Sequence, residues 1–75
     1  MTAIEVAFKY GKKPGAVELR ALDSVREVYG IRRLWFNEPE SVIRIEYDRT
    51  RLNDDTVAAL LRRAGLDIGE KLALA

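Results

Sequence analysis

The feature that most constrains the fold is a change of period at residues 11–15. Before this point apolar side chains alternate with other residues, which is typical of a half-buried strand. After the loop Gly11-Lys12-Lys13-Pro14-Gly15, apolar residues recur at helical spacing as far as Tyr29. Leu19 lies off this stripe, and Gly30 predicts the helix end because it tolerates a left-handed cap. The alternating residues are Ile4, Val6, Phe8 and Tyr10, and the predicted buried helix face is Val17, Ala21, Leu22, Val25, Val28 and Tyr29.

The rest of the chain predicts two strands, a second helix and a fourth strand. Residues 31–36 and 41–47 alternate as strands around a turn at 37–40. Asn53 suits the N-cap of the second helix, and Gly65 suits its end. Glu70 interrupts the alternation of the last strand, which predicts a bulge or an early end there. Leu66 and Ile68 begin the fourth strand, which Leu72 and Leu74 would continue. The predicted inward residues of the other elements are Leu34, Phe36, Ile43, Ile45, Tyr47, Val57, Leu60, Leu61 and Ala64.

This order of elements predicts an α+β fold. Strand–helix–strand–strand–helix–strand is the ferredoxin-like βαββαβ pattern, a two-layer sandwich. Two helices should cover one face of a four-stranded antiparallel sheet, which leaves the other face for solvent or a partner. With 75 residues and 48% hydrophobic content, residues 1–75 should form one domain.

Composition removes several classes of function. The chain has no cysteine and no histidine, and its single methionine is Met1. Disulfides, thiolate chemistry and imidazole catalysis are therefore excluded, and no nucleophile–base pair suggests an enzyme. The formal net charge of +1 gives no overall field for nucleic acid or an anionic membrane. Neither a signal peptide nor a transmembrane segment is recognisable, so we expect a cytoplasmic protein.

From Ile4 to Ile68 the chain resembles the heavy-metal-associated (HMA) domain, the small module of copper chaperones and metal-pumping ATPases. The resemblance rests on the glycine loop before the first helix and on Gly30-Ile31, followed by Leu34 and Phe36. It also rests on Tyr47-Asp48 and on the segment from Leu60 to Leu66. It implies the same ferredoxin-like fold, and a docking role for the end that carries the glycine loop.

The resemblance also shows what this chain lacks. Spacing back from Gly30 puts the family's two metal-binding cysteines at Pro14 and Val17, neither of which is a ligand. Soft ions such as Cu(I) require sulfur ligands, so we expect no soft-metal site and no cofactor. The resemblance implies a scaffold with the family's architecture and without its ion.

The loop residues Lys12, Lys13 and Gly15 form the first candidate site. Two ammonium groups and the free N–H groups of a helix start suit a phosphate or a carboxylate. Pro14 removes one donor and no P-loop spacing is present, so a solvated turn is the simpler interpretation. A carboxylate on an acidic protein partner is a further candidate for the same site.

Trp35, with Arg33 and Arg44, forms the second candidate site. Strand parity places Trp35 on the open sheet face beside the two arginines, and Trp and Arg are enriched at protein contacts. The alternative is that the arginine stems pack on the indole as a cation–π arrangement. RNA-recognition modules share this strand order and stack bases on aromatics of the first and third strands, which here have no outward aromatic residue.

Two functional hypotheses follow. The first is a non-catalytic HMA-like domain that acts as an accessory or adaptor through contact with a protein partner, or through an edge strand in a homodimer. The second is a small-ligand regulatory domain resembling the ACT type, which would bind an amino acid between paired protomers near Gly11 and Gly15. A divergent metal-transport accessory and an RNA-binding module rank below both.

Overall fold

A computed structural model of the protein describes residues 3–72. The strands are β1 (Ala3–Tyr10), β2 (Ile31–Asn37), β3 (Val42–Asp48) and β4 (Ile68–Leu72). The helices are α1 (Ala16–Arg26) and α2 (Asp54–Arg63), and a 3-10 turn (Glu38–Glu40) joins β2 to β3. Neither helix is long and apolar enough to cross a membrane.

The four strands form one antiparallel sheet in the order β2-β3-β1-β4. β1 pairs with β3 in continuous register from Ala3 opposite Asp48 to Lys9 opposite Val42. The loop after β1 therefore lies at one end of the sheet, and the C-terminal end of β3 lies at the other. This topology confirms the predicted ferredoxin-like fold.

The core lies between the sheet and the two helices. Side chains that alternate along the strands meet one stripe from each helix, as the two periodicities require. Phe36 is only half-buried, and its ring packs edge-on against Tyr10 with centroids 5.8 Å apart. The buried cluster is Val6, Phe8, Tyr10, Leu22, Val25, Leu34, Ile43, Ile45, Tyr47, Val57, Ala58, Leu61, Leu66 and Ile68.

The predicted burial of Val17 and Tyr29 is wrong. Val17 is 75% exposed because the buried face of α1 is narrow and centres on Leu22 and Val25. Tyr29 is 72% exposed because α1 ends at Arg26, so helical spacing does not apply to residue 29. Leu19 is exposed as predicted.

The predicted N-cap of α2 is confirmed. The side chain of Asn53 accepts a hydrogen bond of 2.8 Å from the backbone N–H of Thr56, which satisfies one orphan donor of the first turn. Gly65 follows α2 with a φ of +100°, a left-handed conformation that suits glycine at a helix end. α1 lacks such an ending, since Gly30 comes four residues after its last helical residue.

The predicted irregularity in the last strand is present. Phe8 pairs with Lys71, and Tyr10 pairs with Ile68. Between these two pairs β1 has one residue and β4 has two, so β4 contains one extra residue. The extra residue falls at Gly69 or Glu70, as a bulge. Leu74, predicted to continue this strand, lies outside the described residues.

Candidate functional site

The loop end of the sheet carries the first candidate site. Lys12 and Lys13 are both exposed there. The backbone N–H of Gly15, at the N-cap of α1, donates a 2.7 Å hydrogen bond to Oε1 of Glu18. This is one half of a capping box, and it places a carboxylate of the chain itself where an external anion would bind. The lysines remain accessible, but this main-chain donor has a partner.

A second carboxylate lies against the same loop. The backbone N–H of Gly11 donates to the carbonyl of Asp67, and a Cβ at Gly11 would lie 2.7 Å from Oδ2 of Asp67. The depression between these groups has a volume of about 70 Å³, against about 300 Å³ or more for typical small-molecule pockets. Its lining residues are Lys12, Lys13, Pro14, Glu18, Gly65 and Asp67. Within one protomer this loop offers no room for a ligand of amino-acid size.

The two positions that the HMA resemblance assigns to cysteines lie at this end as well. Pro14 is half-buried just before α1, and Val17 is exposed in its first turn. Among residues 3–72, no group of three or more carboxylates or other potential ligands is arranged to hold a metal ion. At this end the exposed apolar side chain of Val17 lies close in sequence to the exposed side chains of Lys12 and Lys13.

The open sheet face carries the second candidate site. The guanidinium of Arg33 lies 5.0 Å from the centre of the Trp35 ring in a cation–π arrangement, and Trp35 is half-buried. Arg44 is opposite Trp35 on β3, and its guanidinium lies 3.5 Å from the carboxylate of Glu5. The structure thus brings all three predicted residues to one side of the sheet. Both arginines already have partners within the chain.

The two central strands present no aromatic side chain on this face. Ala7 and Val42 are buried although they point away from the helices, since each is flanked by longer side chains of neighbouring strands. Apart from Ala3, the other outward residues of β1 and β3 are charged, and Glu5 and Arg44 pair with each other. A base-stacking platform would need an aromatic residue here. Over their described residues, β1 and β3 do not supply one on this face.

At the opposite end of the sheet, three polar side chains meet that the sequence did not point to. The hydroxyl of Tyr47, a residue 1% exposed, donates a short hydrogen bond to Oδ1 of Asp54 at the start of α2. Nζ of Lys71 on β4 donates to Oδ2 of the same carboxylate at 2.6 Å. The Asp54 carboxylate thereby connects β3, α2 and β4.

The pKa values of the three groups reflect this contact. Burial, and then the hydrogen bond to Asp54, raise the pKa of Tyr47 to about 12. The hydrogen bonds from Lys71 and Tyr47 lower the pKa of Asp54, and the same carboxylate raises the pKa of Lys71. At neutral pH the cluster therefore holds a neutral phenol, a carboxylate and an ammonium group, each with its preferred partner.

The cluster was not predicted because Tyr47 lies 7 residues before Asp54 and Lys71 lies 17 residues after it, and no local sequence pattern detects such contacts. The capping role of Glu18 could have been found, because a glutamate three residues after an N-cap is a recognised signal. Asp67 could be placed only once the loop after α2 was known to meet the end of β1.

The comparisons with known proteins agree with the fold. No family model matches the chain, and no curated protein matches it in sequence. A proposed copper-ion-binding protein from Bacillus anthracis str. Ames has a similar structure, with a TM-score of 0.71 and 16% identity over 91% of this chain and 97% of that one. The N-terminal domain of ZntA in its apo form gives a TM-score of 0.67 and 17% identity over 96% of each chain. The resemblance to HMA domains is thus confirmed at the level of fold, in a chain without cysteine.

Proposed function

We propose that this protein is a non-catalytic, HMA-like adaptor domain that binds an acidic protein partner in the cytoplasm through the end that carries Lys12, Lys13 and Val17. We refer to these three residues as the docking end. The observation that carries the proposal is the 75% exposure of Val17, which follows two exposed lysines by five and four residues. An accessible apolar side chain beside cations is suited to a protein surface that combines apolar and acidic residues.

The structural neighbours support a role without catalysis. One is described as a copper-ion-binding protein and the other as a domain of ZntA. This chain offers the same architecture with proline and valine at the positions assigned to cysteines. Soft-metal transfer of the kind that a thiolate pair performs would require cysteines, and this chain has none. Recognition of a partner needs only a surface.

A small inorganic anion is a weaker candidate for the docking end. Glu18 already accepts from the N–H of Gly15 at the start of α1, and Asp67 lies against Gly11. These two carboxylates offset the charges of the lysines close to the loop. A partner's acidic side chains can instead approach the lysines from the solvent side, away from Glu18 and Asp67. We therefore expect inorganic phosphate to produce no saturable shift in the amide resonances of residues 11–17.

The proposal is tested by capturing proteins from the source organism's extract on the immobilised domain. The test variant carries Lys12→Glu and Lys13→Glu, and the matched control carries Arg62→Glu and Arg63→Glu, an exposed basic pair at the end of α2. We expect a specific acidic partner to be retained by the native domain and the control and lost by the test variant and by Val17→Asp. Equal capture by all four forms would contradict the proposal.

The ACT-like alternative predicts a different result. A domain of that type would dimerise on addition of an amino acid, because its ligand lies between protomers. Equilibrium ultracentrifugation with and without a panel of amino acids separates the two functions. Ligand-dependent association would favour the regulatory domain, and an unchanged mass would favour the adaptor.

A further inference from the structure

Among residues 3–72, no strand pairs with the outer edge of β2, where main-chain groups follow a regular pattern. The sheet order places β2 and β4 at the two edges. The backbone N–H of Asp48 donates to the carbonyl of Gly30 at 2.8 Å, so the main-chain groups of Asp48 point toward β2. Main-chain groups alternate in direction along an antiparallel strand, so those of Arg44 and Val42 also point toward β2. Their pairing partners on β2, Trp35 and Asn37, point back toward β3.

It follows that the intervening residues of β2 point outward. The N–H and C=O groups of Leu34 and Phe36 are directed away from β3, toward the free edge. The side chains of these two residues nevertheless face the helices and are buried or half-buried. The outward main-chain groups of β2 can therefore form hydrogen bonds with another strand, while the packed side chains of Leu34 and Phe36 hold β2 in place.

β2 is a better edge for pairing than β4. The irregularity of β2 lies between Ile31 and Arg33, which leaves residues 33–37 in regular register with β3. β4 has five residues, its pairing with β1 is interrupted by a bulge, and its residues 70 and 71 are charged. Bulges and charges on a short edge strand are devices that prevent pairing.

We propose that two copies of this chain associate through their β2 strands, antiparallel about a two-fold axis at Trp35. This inference is independent of the docking end and concerns the edge of the sheet that β2 forms. In the proposed register Leu34 pairs with the partner's Phe36, and each pair exchanges two hydrogen bonds. The two sheets then continue as one sheet of eight strands.

The register is favoured by the side chains as well as by the backbone. Trp35 lies opposite the partner's Trp35 in a non-hydrogen-bonded pair, where the Cα atoms are about 4.5 Å apart and side chains are closest. Each indole already has the guanidinium of Arg33 against it. Stacked aromatics between two cations form a compact cluster on the open face.

Charge complementarity selects a second copy rather than an unrelated strand. β2 has Arg33 near its beginning and is followed by exposed Glu38 and Glu40. In an antiparallel pair the basic end of each strand meets the acidic end of the other. Arg26 of α1 borders a groove that runs along β2. Leu19, which is 45% exposed, lies two helical turns before Arg26 on the same face of α1. An apolar side chain therefore flanks the same edge.

Residue-resolved amide hydrogen exchange of the native chain tests the proposal directly. The amides of Leu34 and Phe36 should exchange about tenfold or more slowly at high than at low protein concentration, as the dimer covers them. The amides of Trp35 and Asn37 are bonded to β3 and serve as internal controls whose protection does not require the dimer. Sedimentation equilibrium should show the mass approaching twice that of the chain. Rapid exchange of Leu34 and Phe36 at every concentration, or concentration-dependent protection confined to β4, would overturn the proposal.

A single cysteine tests the register, since the chain has none of its own. Trp35→Cys places two thiols across the two-fold axis within the Cα range that a disulfide spans. On oxidation we expect a disulfide-linked dimer of Trp35→Cys. We expect none of Arg44→Cys, which is directly opposite on β3 and one strand farther from the axis. Equal cross-linking of the two variants would overturn the register.

Discussion

The ammonium group of Lys71 on β4 lies 2.6 Å from the carboxylate of Asp54, the first residue of α2. The second oxygen of that carboxylate accepts from the hydroxyl of Tyr47, which is almost fully buried. The ion pair is half-exposed and by itself contributes little to stability. The contact matters because it gives a buried phenol a hydrogen-bond acceptor and connects the start of α2 to an edge strand.

Replacing Asp54 by alanine should therefore destabilise the fold by about 1–3 kcal/mol, because the Tyr47 hydroxyl would be left buried without an acceptor. Urea unfolding followed by circular dichroism measures this difference. Asp55→Ala is the matched control, since Asp55 is exposed in the same helical turn and carries the same charge near the positive end of the helix dipole. Equal losses for the two variants would show that the dipole, and not Tyr47, is responsible.

Stability should fall on the acid side in a way that depends on Asp54. The pKa values of Asp54 and Asp48 lie below the ordinary 3.8, Asp54 through Lys71 and Tyr47, and Asp48 through Thr50. The unfolded chain takes up these protons first as the pH falls, so the free energy of unfolding decreases from about pH 5 downward through the folded pKa values. Urea midpoints between pH 2 and 6 measure the slope. Asp54→Asn should flatten it, and an unchanged slope in this variant would contradict the assignment.

The alkaline side should respond to Tyr47. Its pKa of about 12 lies above the ordinary 10.0, so between these values the unfolded chain releases the phenolic proton while the folded chain retains it. The free energy of unfolding therefore decreases as the pH rises from 10 to 12. The raised pKa of Lys71 acts in the same direction. Tyr47→Phe should reduce the loss over this range, and an unchanged alkaline slope would contradict the assignment.

The strands and the cap of α2 could be predicted because each depends on neighbouring residues. Alternation identified β1 and β3, and the side chain of Asn53 needs only the first turn of its own helix. Val17 and Tyr29 were misassigned because the helical wheel assumes a known length and a wide buried face. Only the packed structure shows that α1 ends at Arg26 and buries a narrow stripe. The cluster around Asp54 required tertiary structure, since three elements bring its members together.

Gly30 should tolerate substitution poorly. Its φ of +104° is a left-handed conformation, and a Cβ there would lie 3.1 Å from Cβ of Arg51 and from Leu52. The conformational cost alone is about 1–2 kcal/mol. Gly30→Ala should lower the free energy of unfolding by at least that amount. Gly69→Ala is the control, because its Cβ would meet its nearest neighbour at an ordinary 3.5 Å. Equal stability of the two variants would mean that Gly30 is not restricted.

Two substitutions should give this chain a soft-metal site. Pro14 and Val17 lie three residues apart at the start of α1, and Val17 is exposed. Thiols at a helix N-terminus have lowered pKa values and so provide the thiolates that Cu(I) prefers. We expect the amide resonances of residues 11–17 to show no saturable change with Cu(I) in the native chain and a change complete at one equivalent in Pro14→Cys/Val17→Cys. Val17→Cys alone is the control, since one thiolate should bind far more weakly. A specific change in the native chain at equimolar Cu(I) would show instead that the scaffold binds the ion with ligands other than cysteine thiolates.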